Sequence, residues 1–214
     1  LVSTGPTGVL PDERVSCSPV ETLARMSDDG RYLAVVESDG LRLIELQTGA
    51  QLFSLARPAI RALAFSPKGT YLLTWEKFVD GEGDNLRLWR CVDGVYITGF
   101  AQKVLGEKWQ WPALRWSADE SIYARAVSNE IHFFDGTAPS QSVVHRLRAE
   151  RVSHFALAPA GSPPLVATFV PEFKGQPATV RLWKYPDFGE GRFLATKTFF
   201  KASEAQLKFS PDGQ

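Results

Sequence analysis

The 214-residue chain has two cysteines, Cys17 and Cys91, and three histidines. Two distant thiols are too few for a disulfide scaffold and lack the paired short spacings of a structural zinc site, so a reducing, cytoplasmic setting is expected. No apolar run approaches the ~20 residues that span a bilayer. The opening LVSTGPTGVLP has neither the basic start nor the long apolar core of a signal peptide. Excess charge is missing too. Lys plus Arg is 24 and Asp plus Glu is 24, so no global positive field marks the chain as a polyanion binder, and only local basic patches stay open.

What the chain does have is a large apolar fraction, 44% hydrophobic and 12% aromatic, enough to bury a core. It also repeats itself. ARMSDDGRYLAVV from Ala24, LAFSPKGTYLLTW from Leu63, LRWSADESIYARA from Leu114, FALAPAGSPPLVATF from Phe155 and LKFSPDGQ from Leu207 share one phrase. An alternating apolar stretch, a cluster of turn residues and a second alternating stretch spell a β-hairpin. LRLIE at Leu41, LRLWR at Leu86, EIHFFD at Glu130 and VRLWK at Val180 then supply a third strand, and a less regular apolar segment a fourth.

The turn positions Ser27, Ser66, Ser117, Ala158 and Ser210 are 39, 51, 41 and 52 residues apart. Those intervals bracket the ~40–50 residues of propeller blades. The expectation is an all-β propeller of four-stranded antiparallel blades, with about four blades and the start of a fifth in this chain. Residues 1–23 read as an N-terminal strand or partial blade. Blades are expected over 24–62, 63–113, 114–154 and 155–206, and the next begins at 207–214. Four blades and one strand do not obviously close a ring, so the chain reads as part of a larger propeller.

The second and fourth blades carry long loops, Glu76 to Asn85 and Val170 to Thr179, centred on Phe78 beside Lys77 and on Phe173 beside Lys174. These are candidate contacts for a partner, or else tolerated insertions. A second candidate is HRLRAER, where strand alternation puts Arg146 and Arg148 on one exposed face, with Arg151 close behind. The alternative is a solvated edge strand protected by charge. Lys103 and Lys108 form a third candidate, mixed with Trp109, Trp111 and Trp116 in KVLGEKWQWPALRW. Trp116 matches Phe65 before the turn and reads as core.

Catalytic signatures are missing. No GxxxxGK[ST], GxSxG or HExxH occurs, and the GEG triplets at Gly81 and Gly189 lack a strand-to-helix setting. His132, His145 and His154 have no carboxylate or cysteine at ligand spacing, and His132 reads as a packed or rim strand residue. Glu37, Glu76, Asp119 and Glu172, the carboxylates a propeller channel might gather, read as unrelated positions in the repeat. The expectation is therefore a protein with no catalytic, cofactor or metal site.

From about Leu63 to Lys208 the chain resembles eukaryotic translation initiation factor 2A, through SADESIYAR, NEIHFF, VRLWKYPDF and TFFKA in that order. The resemblance implies a nine-bladed propeller followed by a C-terminal extension. It also implies a non-catalytic factor that associates with the small ribosomal subunit and promotes codon-dependent, GTP-independent delivery of methionyl initiator tRNA on selected mRNAs. The propeller component of translation initiation factor 3 shares the WPxxxWSxDxxxxAR phrase. That second likeness implies a propeller scaffold working through contacts with other initiation factors.

Overall fold

The computed structural model describes residues 2–5, 8–11, 23–103, 111–158, 164–189 and 192–210, with side chains from residue 23 onward. β1 (Val2–Gly5) and β2 (Gly8–Pro11) form an antiparallel pair. Four four-stranded sheets follow. The first holds β3 (Leu23–Met26), β4 (Tyr32–Glu37), β5 (Gly40–Glu45) and β6 (Gln51–Leu55), and the second β7 (Ile60–Phe65), β8 (Tyr71–Glu76), β9 (Leu86–Arg90) and β10 (Tyr96–Phe100). The third holds β11 (Leu114–Trp116), β12 (Ile122–Val127), β13 (Glu130–Asp135) and β14 (Val143–Arg148), and the fourth β15 (His154–Leu157), β16 (Leu165–Val170), β17 (Ala178–Lys184) and β18 (Phe193–Phe199). In every sheet, strands adjacent in sequence are adjacent in space, which is the meander of a propeller blade. No helix among the described residues is long and apolar enough to cross a membrane.

The repeated phrase has a physical cause. The hydroxyls of Ser27, Ser66 and Ser117 accept the backbone N–H of Tyr32, Tyr71 and Ile122 at 2.9, 2.9 and 3.1 Å, closing the turn from first to second strand. Ser27 and Ser117 also donate to Asp29 and Asp119, both at 2.6 Å. A serine at this point satisfies a buried backbone donor, as turn chemistry requires. Asp119 is thereby a turn residue rather than a channel carboxylate. After the second strand of the first sheet, Gly40 has φ +142, and a Cβ there would lie 2.0 Å from the Leu55 carbonyl oxygen. Only glycine fits that approach.

The chain divides into two compact units, Leu1–Ile97 and Thr98–Gln214. Within the first, Tyr32, Ala34, Val36, Leu41 and Leu43 of one sheet meet Ile60, Leu63, Leu72, Trp89 and Cys91 of the next. The opposite face of β4 packs Leu33 and Val35 with Ile44. Both faces of β4 are therefore apolar, and five successive residues are buried where a one-sided strand would alternate. Within the second unit, Ile122, Ala124, Ile131, Phe133 and Leu147 pack against Leu157, Val166 and Trp183. The third-strand tryptophans are fixed by hydrogen bonds, Trp89 Nε1 to Thr74 Oγ1 at 2.9 Å and Trp183 Nε1 to Thr168 Oγ1 at 3.0 Å. Residues 204–210 contain no strand, while Leu194, Phe199 and Phe200 at the end of the fourth sheet are exposed.

Candidate nucleic-acid interface

An arginine recurs at one register of the third strand. Arg42 lies opposite Val35, Arg87 opposite Thr74 and Arg181 opposite Thr168. Two residues further along, β4 and β8 end in Glu37 and Glu76. Arg42 Nη2 lies 2.7 Å from Glu37 Oε2, and Arg87 Nη1 lies 2.8 Å from Glu76 Oε2. Arg57 adds a two-pronged contact, with Nε and Nη2 each 2.6 Å from an oxygen of Glu76. Burial pushes the Glu76 carboxyl up, but the hydrogen bonds and charges of Arg57 and Arg87 outweigh it and hold it below the ordinary carboxylate range.

This corrects one sequence expectation. Glu37 and Glu76 are not unrelated positions but the same one, the last residue of a second strand, and each neutralises the neighbouring arginine. Glu172 is elsewhere, exposed after β16, where it accepts the backbone N–H of Lys201. In the third sheet His132 takes the arginine's place, and its Nε2 lies 2.8 Å from Glu130 Oε2 of the same strand.

The fourth sheet departs from the pattern. Its second strand ends in Val170, opposite Thr179, so the glutamate is missing. Arg181 Nε is buried and has no hydrogen-bond partner among the described residues. Its guanidinium carbon lies 5.5 Å from the Phe193 ring centroid, a cation–π contact that leaves the charge unneutralised.

Arg181 lines a groove of about 680 Å3 together with Arg148, Arg151, Gln176, Phe188 and Phe193. Glu150 is the one carboxylate among the described lining residues, 3.1 Å from Arg148 Nη2, and both of these side chains are largely in solvent. Arg151 has φ 60, the left-handed region that glycine adopts more cheaply. Asn129 at the β12–β13 turn holds it there, its Oδ1 accepting the Arg151 N–H at 2.9 Å. Arg151 Nη2 donates to Gln176 Oε1 at 3.0 Å, and its guanidinium carbon lies 4.4 Å from the Phe173 ring centroid.

Phe173 is set by a tight turn. Phe173 and Gln176 exchange backbone hydrogen bonds of 3.1 and 2.9 Å across Lys174 and Gly175, which have φ 47 and 81. Two successive positive φ values are the signature of a primed hairpin turn. Phe173 is 47% exposed, and Lys174 Nζ lies 5.2 Å from its centroid.

The structure thus joins Arg148, Arg151, Phe173 and Lys174 in one neighbourhood. Arg146 is exposed on β14 opposite His132, outside the groove lining. The His132 hydrogen bond, and behind it the charges of His132, Arg146 and Arg148, hold the Glu130 carboxyl below its ordinary range. Lys103 is exposed on the β10–β11 connection and does not line the groove. Lys108 and Trp109 lie outside the described residues. Trp116 is half-buried, its ring 4.8 Å from that of Tyr123. In the loop after β8, Lys77 is exposed and Phe78 half-buried. Its base is closed by Asn85 Nδ2 donating to the Glu76 carbonyl at 2.7 Å. Sequence reasoning missed Arg181 and Gln176. The signal for Arg181 was present in VRLWK, whose arginine matches LRLIE and LRLWR while Val170 replaces the matching glutamate.

No protein-family model matches the chain. It is 37% identical to eukaryotic translation initiation factor 2A of Schizosaccharomyces pombe over 87% of its own length and 32% of that protein's. It is 26% identical to the B component of eukaryotic translation initiation factor 3 of Xenopus laevis, over 90% of its length and 27% of that protein's. A solved structure described as the crystal structure of the eukaryotic initiation factor superposes with TM-score 0.82 at 33% identity, covering 96% of this chain and 51% of that one. The chain spans about a third of the length of the curated relatives it matches. By sequence and by its sheets, this chain is a relative of eukaryotic translation initiation factor 2A.

Proposed function

We propose that the chain is part of a non-catalytic translation initiation factor that docks on the small ribosomal subunit in the cytoplasm. There it promotes GTP-independent, codon-dependent delivery of methionyl initiator tRNA to selected mRNAs. The likeness to initiation factor 2A over most of the chain carries this reading. The exposed cations of β14 and the turn behind it support it, because docking on RNA needs clustered guanidinium groups rather than an overall positive charge. A propeller blade is a rigid base for such a cluster. Residues 24–62, 63–113, 114–154 and 155–206 are proposed as its successive blades within a nine-bladed ring.

Reversing Arg146 and Arg148 to Glu together is expected to weaken co-sedimentation with the small subunit severalfold and to flatten its salt dependence. Unchanged co-sedimentation would remove these residues from the interface. The likeness to the B component of initiation factor 3, together with exposed Phe173, favours a second reading, a scaffold gripping other initiation factors. Association that survives nuclease and ignores salt, yet is lost in Phe173→Ala, would select it.

A further inference from the structure

We infer that the groove lined by Arg148, Arg151 and Arg181 binds single-stranded RNA, with the phosphodiester backbone against the arginines and an unpaired base against Phe188 and Phe193. The inference deepens the docking reading and rests on it only for the choice of RNA as the polymer.

Charge is the first argument. Three arginines face one described carboxylate, Glu150, whose contact with Arg148 is solvated and readily exchanged for a phosphate. In two other sheets the arginine equivalent to Arg181 is neutralised by the glutamate ending the neighbouring strand. Here that residue is Val170, which offers Arg181 no carboxylate.

Preorganisation is the second. Arg151 occupies a backbone conformation in which glycine is cheaper, and Asn129, Gln176 and Phe173 fix both its main chain and its guanidinium. A side chain already held in place loses little further freedom on binding. Shape is the third. A groove of about 680 Å3 falls in the ~300–1,000 Å3 range of ligand sites. Phe188, stacked on Phe133 at 5.0 Å, and Phe193, beneath Arg181, are held half-buried and leave part of each ring to stack on a base, while Gln176 and Thr179 add polar groups to the lining. A duplex keeps its bases stacked on each other and leaves those rings uncovered. An acidic peptide would satisfy the guanidinium groups but brings no planar ring for Phe188 and Phe193.

The test uses a short fluorescein-labelled oligouridylate and the intact protein, with anisotropy read across a salt series. Arg181→Gln and Arg151→Gly are each expected to lower affinity roughly tenfold, with a log–log salt slope shallower by about 0.7. Arg151→Gly relieves the left-handed backbone but also removes the contacts with Gln176 and Phe173, so both variants are read beside their melting temperatures, and the one that melts as the wild type does decides the question. Unchanged affinity and slope would overturn the inference. So would duplex RNA or polyglutamate competing as well as unlabelled oligouridylate. Oligouridylate binding that falls in the variants upholds the site whether or not small-subunit co-sedimentation changes. Unchanged co-sedimentation in that case counts only against the docking reading.

Discussion

The second strand of the β7–β10 sheet ends in a glutamate, and that of the β15–β18 sheet ends in a valine. At the first site Glu76 is gripped by Arg57 and Arg87, so the charge of the third-strand arginine is consumed inside the protein. At the second, Val170 offers nothing, and Arg181 turns its charge towards a groove already bordered by Arg148 and Arg151. The strand, the register and the Trp–Thr hydrogen bond are the same in both sheets. One side chain decides whether the arginine serves the fold or is available to a ligand.

The comparison breaks most visibly at Glu76. Glu76→Gln would leave two guanidinium groups facing a neutral amide. Removing one member of a buried pair costs about 3–5 kcal/mol, and because Arg57 keeps a third of its side chain in water the loss is expected nearer ~2–3 kcal/mol, read by urea unfolding. The pH dependence follows from the same pair. The folded carboxyl titrates below its unfolded counterpart, so the unfolded chain binds more protons in the interval between them. This stabilisation is complete above pH 4.5 or so and fades as pH falls towards the depressed folded value. Glu76→Gln should therefore lose part of the acid sensitivity of the wild-type protein. An unaltered acid profile would show that the triad contributes little.

A smaller effect is expected in the first sheet. Glu37 and Arg42 are only half-buried, so Arg42→Gln should cost about 0.5–1 kcal/mol. A loss as large as that of Glu76→Gln would mean that the contact of Arg57 with Glu76 adds little to the energetics.

The four-stranded units were legible from the sequence because their cause is local. A buried serine hydroxyl caps the same backbone N–H in Ser27, Ser66 and Ser117, and that chemistry writes itself as a repeated phrase. Arg148 and Arg151 could be picked out as clustered cations for the same reason. The groove could not, because Arg181 reaches it from a different sheet, some thirty residues on in sequence, and its significance depends on the glutamate that Val170 replaces. The equivalence of Glu37 and Glu76 was hidden by loop length, since their arginine partners stand 5 and 11 residues downstream. Phe78 and Phe173 looked alike in sequence. The tight turn at Lys174 and Gly175 leaves Phe173 exposed, whereas the longer loop folds Phe78 partly inward.

The comparison can be reversed by one substitution, Val170→Glu, which gives the fourth sheet the residue of the first two. Stability should change least of all, within about 0.5 kcal/mol, since the new carboxylate meets an arginine already waiting for it. Oligouridylate affinity, measured for Val170→Glu, Arg181→Gln and the double variant, tests the claim directly. Affinity should fall roughly tenfold for either single substitution, with little further loss on combining them, because both remove the same free guanidinium charge. Wild-type affinity in Val170→Glu, or losses that simply add, would contradict it.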